Sequence, residues 1–166
     1  MNEHIYKSHN KTLLLYYSVF PANYRQKVFS KSVEINLKNI CIEISKRYEI
    51  HFIEIGLEQD HVHFLVESVP TLTVFRIVTI IKSITARRIF QLHKDVKKDM
   101  WGGSLWASGY YANSVGQFTG VDVIRKYVAN QGRNYKQIYS FVEYMTLRYE
   151  KVILLINTKT INCRLI

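Results

Sequence analysis

The sequence predicts an α+β fold: an antiparallel sheet in the β-α-β-β-α-β order of ferredoxin-like (RRM-like) domains, with two helices on one face. Three observations predict it. Two neighbouring segments, 49–57 and 61–68, alternate apolar and polar residues and are separated only by a short polar connection. Each lies next to a segment whose apolar residues recur at three- and four-residue steps. Further apolar and aromatic runs, 12–20 and 104–115, bracket this set as outer strands.

The first strand is TLLLYYSVF (12–20), ended by Pro21. A basic turn with Tyr24, Arg25 and Lys27 follows. From Ser32 to Tyr48, Val33, Leu37, Ile40, Cys41, Ile44 and Tyr48 form the apolar stripe of a helix. Residues 49–57 are the second strand. Gln59-Asp60 is the connection, 61–68 is the third strand, and Pro70 closes it. A second helix over 71–92 carries Val74, Ile77, Val78, Ile81, Ile84 and Ile89 on one side. Arg76, Lys82, Ser83, Arg87 and Arg88 lie on its other side. Residues 94–103, with Lys94, Lys97, Lys98, Gly102 and Gly103, read as a loop, and 104–115 as the fourth strand. A third helix starts near Thr119, where Asp122 completes a capping-box-like pair, and ends by Gly132. Residues from Tyr135 to about Tyr149 read as a fourth helix, so helices follow the sheet at the C-terminal end. Residues 1–150 thus form one domain, and 151–166 a tail of unassigned role.

Composition narrows the class. Hydrophobic residues are 48% of the 166, enough for a core and too many for a disordered chain. Lys and Arg number 23 against 13 Asp and Glu, a net charge of +10. That balance favours an anionic partner, nucleic acid foremost. The two cysteines, Cys41 and Cys163, form no CxxC pair, which argues against a disulfide framework or a thiolate zinc site and fits a reducing cytoplasm. The polar start, MNEHIYKSHNK, has no apolar signal core. No apolar run approaches the roughly 18 residues of a membrane span.

Two constellations bear chemistry. In EQDHVHFLV (58–66), His61 and His63 share one strand face while Val62, Phe64 and Val66 take the other. The apolar set suits packing under the helices, so the imidazoles point to the open face. Same-face neighbours lie about 7 Å apart along a strand, close enough to share one metal ion. The alternative is a half-exposed pair with no ligand. In VDVIRKYVANQG (121–132), Tyr127 and Gln131 stand one helical turn apart on one face. Either they serve as a nucleophile and a neutral oxygen ligand, or Tyr127 packs on the sheet and Gln131 is surface.

Taken together, YRQKVF, DHVHFLV, KSITARRIF, LWASGYYANSVG and VIRKYVANQ resemble the single-tyrosine HUH transposases of small bacterial and archaeal insertion sequences, the TnpA type. The resemblance runs from about Leu13 to Gln131. It implies that His61, His63 and Gln131 bind a divalent metal, Mg²⁺ or Mn²⁺, and that Tyr127 is the nucleophile. It further implies cleavage and rejoining of single-stranded DNA through a 5′-phosphotyrosine, recognition of DNA hairpins, and a homodimer whose active sites are shared in trans, with no nucleotide cofactor and no membrane. Gly116, Gly120 and Gly132 flank the tyrosine helix and would let it be repositioned. The family's basic cluster after the first strand reads PANYRQK here, with Ala22, Asn23 and Gln26 as departures.

The candidate DNA contacts are Arg25, Lys27, Arg76, Lys82, Arg87 and Arg88, with aromatic residues near 101–111 as stacking surfaces for unpaired bases or as core, Trp101 and Trp106 among them. Three other readings compete: a related HUH nuclease (a domesticated palindrome-binding transposase, or a replication or conjugation nickase), a non-catalytic nucleic-acid-binding module, and a small metal hydrolase that works without Tyr127.

Overall fold

The structure, a computed structural model, describes residues 5–7, 10–12, 14–115 and 136–140. Two short strands, β1 (Ile5–Lys7) and β2 (Asn10–Thr12), pair as an antiparallel ribbon. The body begins with β3 (Leu14–Pro21), then α1 (Lys31–Arg47), β4 (Ile50–Leu57), β5 (His61–Ser68) and α2 (Val74–Leu92). A short helix α3 (Lys94–Asp99), β6 (Tyr111–Val115) and β7 (Lys136–Ser140) complete it. The sheet has five strands in the order β6-β3-β5-β4-β7, and every neighbouring pair is antiparallel. β6, β3, β5 and β4 are the strands the pattern predicts, with β5 at the middle between β3 and β4.

One face of the sheet is sealed by α1 and α2. Val33, Leu37, Ile40, Cys41 and Ile44 of α1, and Ile77, Val78, Ile81 and Ile89 of α2, join Phe20, Ile55, Val62, Phe64 and Val66 in one core. Phe64 is fully buried between the rings of Phe20 and Phe52, with centroids 5.1 and 5.5 Å away. Truncating a ring so enclosed costs about 3–5 kcal/mol. Thr73 caps α2, its hydroxyl accepting from the Arg76 N–H at 3.2 Å. Cys41 is a free thiol inside this core.

Three elements differ from the expectation. Residues 94–99 are helical, not a loop; Val96 turns into the core and gives the segment a buried side to fold upon. The fourth strand is 111–115, shorter than the expected 104–115, because Leu105 and Trp106 turn inward instead of alternating. The Trp106 indole N–H donates to the Thr85 hydroxyl at 2.9 Å, anchoring the segment on α2. Lastly, 136–140 is a strand, not the start of a helix. It pairs with β4, whose outer edge would otherwise present unpaired backbone groups, and Ile138 and Tyr139 pack on the core. The expected tyrosine helix (119–132) and the tail (151–166) lie outside the described residues. No described helix is long and apolar enough to cross a membrane.

Candidate active site

The second sheet face carries the polar chemistry. Strand alternation sends Val62, Phe64 and Val66 into the helix-side core and His61 and His63 to the other side, as expected. His63 is more enclosed than a half-exposed pair, at 3% exposure, among Tyr17 and its neighbours. The same face buries Glu54 and Glu67.

Each imidazole is held by its Nδ1. His61 Nδ1 lies 2.6 Å from Asp60 Oδ1, and His63 Nδ1 lies 2.6 Å from the Tyr17 hydroxyl. With Nδ1–H donating in both, each ring turns its Nε2 toward Glu58. Both Nε2 atoms converge on one carboxylate oxygen: Glu58 Oε1 is 3.4 Å from that of His61 and 3.7 Å from that of His63. The two rings stand edge to face with centroids 4.7 Å apart. Among the described residues, Glu58, His61 and His63 group three potential ligand atoms within 4.8 Å of one another.

Local backbone explains Glu58. It opens the β4–β5 connection, where its N–H donates to the His61 carbonyl at 2.9 Å and closes the turn that carries the carboxylate back over the histidines. The helical and strand periodicities contain no sign of this. The only signal was its position three residues before His61 in EQDHVHFLV. Tyr17 and Asp60, which orient the rings, were likewise not singled out by pattern; ring-orienting partners of this kind are the common second layer of histidine metal sites.

Electrostatics prepares His63 as a ligand. Burial, helped by the nearby His61, pushes the His63 imidazole down to about 4, so it is neutral at physiological pH. Burial pulls the Asp60 carboxyl upward, but the hydrogen bond from His61 and the positive charges of His61 and Arg25 outweigh it and hold the group low. Asp60 is thus an ionised anchor for the Nδ1–H of His61.

A divalent ion fits this donor set: two imidazole Nε2 atoms and one carboxylate oxygen, all within reach of one centre. Tyr127 and Gln131 lie outside the described residues.

The predicted DNA contacts separate by location. Arg25 and Lys27 are exposed beyond the end of β3, and Arg25 pairs with Asp60 at 3.5 Å, beside the histidines. Arg76, Arg87 and Arg88 are exposed on α2, so the sheet stands between them and the His pair; Arg88 also meets Glu43 of α1 at 3.2 Å. Lys82 turns toward the chain's own backbone. Its ammonium donates to the carbonyls of Ala107, Ser108 and Gly109 at 2.8, 3.3 and 2.8 Å and lies over the Phe20 and Tyr110 rings. All three of its donors are thereby occupied inside the protein. Of the two tryptophans, Trp106 is core and Trp101 is 79% exposed.

Comparisons with known proteins agree on a family. Residues 10–131 match the family described as "Transposase IS200 like". The chain is 30% identical over 118 residues to the ISDra2 transposase TnpA of Deinococcus radiodurans, covering 71% of this chain and 84% of that one. It is 23% identical over 124 residues to a transposase for insertion sequence element IS200 from Salmonella typhimurium, covering 75% and 80%. A crystal structure of a candidate transposase from D. radiodurans R1 superposes with a TM-score of 0.63 at 27% identity, over 76% of this chain and 97% of that one.

Proposed function

The chain belongs to the IS200-like transposase family, and from that premise we propose that it cleaves and rejoins single-stranded DNA through a 5′-phosphotyrosine on Tyr127, at a metal centre built on His61 and His63. The observation that carries the reading is the convergence of two Nε2 atoms and the Glu58 carboxylate, each ring clamped from behind by Asp60 or Tyr17.

His61, His63 and Glu58, with Gln131, hold the ion. Bound there, Mg²⁺ or Mn²⁺ withdraws charge from a phosphate and makes its phosphorus easier to attack. The Tyr127 oxygen attacks in line; a P–O(Tyr) bond forms as the P–O3′ bond breaks, and the departing 3′ oxygen takes a proton. A tyrosine hydroxyl titrates near 10 and is a weak nucleophile, which is why the phosphate must be activated. Attack of a 3′-OH on the phosphotyrosine then rejoins strands and frees Tyr127, with the bond energy conserved throughout. Arg25 and Lys27 neutralise phosphates beside the site. Arg76, Arg87 and Arg88 offer a second cationic surface, behind the sheet, suited to the stem of a DNA hairpin. The active unit is a homodimer sharing its sites in trans, acting on DNA in the cytoplasm.

The test is a denaturation-resistant protein–DNA adduct, formed from labelled single-stranded hairpins with Mg²⁺ or Mn²⁺. Tyr127→Phe and His61→Ala should each abolish it while hairpin binding persists. An adduct that survives Tyr127→Phe overturns the nucleophile. Mixing the two variants tests the sharing of sites: a trans site regains the adduct in mixed dimers, a cis site does not.

A further inference from the structure

Beside the His pair the protein has a concavity of about 440 Å³ that the chemistry above does not use. Its lining includes Val19, Pro21, Tyr24, Arg25, Tyr110 and Tyr111, and is almost wholly apolar and aromatic. It continues the catalytic face. Val19 stands opposite His63 and Pro21 opposite His61 across the β3–β5 ladder, and Tyr111 opposite Val19 across β3–β6. The floor is therefore one strand spacing, ~4.8 Å, from the metal cluster.

Its rim is built at a conformational cost. Tyr24 and Arg25 are consecutive non-glycine residues with left-handed φ values of 53° and 56°. Residues in that region are held only where the surroundings over-determine them, and they gather at ligand sites. Here the surroundings are hydrogen bonds from the Ala22 N–H to the Asp60 carbonyl (2.8 Å), from the Asn23 N–H to the Leu105 carbonyl (2.9 Å) and from the Ala107 N–H to the Pro21 carbonyl (3.0 Å). The result lifts Tyr24 to 73% exposure with the Arg25 charge beside it. Across the opening Tyr111 is 54% exposed, its ring edge-on to Tyr17, the partner of His63. The Lys82 ammonium fixes the wall at 107–110.

We propose that this concavity holds one unpaired nucleobase of the DNA strand that carries the scissile phosphate, stacked on Tyr24 and Tyr111, with Arg25 on the adjoining phosphate. The inference rests on the transposase reading for the strand it names. Apolar, aromatic walls with one cation at the rim match a base with its backbone charge. Stacking uses the π-face that every base has, so the site tolerates any sequence. Its closeness to the His pair sets the distance between the captured base and the phosphate to be cut.

The test uses the full chain and a single-stranded oligothymidine with one central 2-aminopurine, in metal-free buffer so that no chemistry intervenes. Binding should quench the fluorescence. Tyr24→Ala and Tyr111→Ala should each remove the quench and weaken binding about 5- to 100-fold, as loss of a stacked base does; Tyr111→Phe should retain both. Abasic sites in place of all the bases should weaken wild-type binding by more than they weaken that of Tyr111→Ala. Unchanged quench and affinity in both alanine variants overturns the proposal. So does a change of oligomeric state in Tyr111→Ala with DNA affinity intact, which makes the concavity a protein interface. Adduct formation measured in parallel separates the two readings. An adduct with silent tyrosine variants sinks the base site alone; tyrosine-dependent quenching without any adduct upholds the base site and sinks the catalytic reading.

Discussion

The Tyr17 hydroxyl and His63 Nδ1 lie 2.6 Å apart, joining the middle of β3 to the middle of β5 on the face away from the helices. The bond does two things. It satisfies a buried ring nitrogen, and it turns Nε2 toward Glu58 and His61. Tyr17→Phe keeps the ring and removes the bond. Mn²⁺ affinity by titration calorimetry should fall roughly 10- to 100-fold, the usual loss when a ring-orienting partner is removed. DNA binding in metal-free buffer should be unchanged. Equal Mn²⁺ affinity in the variant would show that packing alone orients His63.

Glu58 is the test of whether the cluster is a true ligand set. Glu58→Gln keeps size and removes charge, and should raise the Mn²⁺ Kd at least about tenfold with little change in thermal stability. If calorimetry shows the same Kd, the carboxylate is only a neighbour of the histidines.

Acid should weaken the metal-free protein through His63. Its folded-state value, about 4, lies below the 6.5 of a free imidazole. Stability from this group is therefore complete above about pH 6.5 and is lost as pH falls toward 4, on the order of 3 kcal/mol in all. Urea unfolding across that window should show the fall, and His63→Gln should flatten it. An equally steep fall in the variant would assign the effect to other groups.

Lys82→Ala should destabilise by about 1–3 kcal/mol, because the Ala107 and Gly109 carbonyls lose a charged donor. Lys82→Arg should not restore the wall, since a planar fork cannot replace a compact ammonium among three carbonyls. Denaturant midpoints check both. A neutral Lys82→Ala that lost only DNA affinity would return this residue to the phosphate contacts.

Much of the fold could be read directly. The alternation in EIHFIEIGL and HVHFLV and the helical stripes of α1 and α2 are local periodicities, and each became the element it predicts. Where local pattern failed, a tertiary partner had decided. Lys136–Ser140 is a strand because β4 has an open edge to fill. Residues 104–110 are irregular because Trp106 finds Thr85 on α2. Lys82, on the polar side of its helix, meets a loop some 25 residues further along the chain instead of solvent.

The sequence by itself determined that two histidines share a strand face opposite an apolar set, that the chain is basic, and that its motifs resemble one transposase family. These follow from period-two geometry, from charge, and from residue order. Only the tertiary structure decided that Glu58 folds back over the pair, that Asp60 and Tyr17 clamp the rings from behind, and that a tyrosine-lined concavity opens alongside. Tyr17 and His63 are 46 residues apart in the chain. No local rule can align them; the register of β3 on β5 does, and that register is set by which side chains the core must bury.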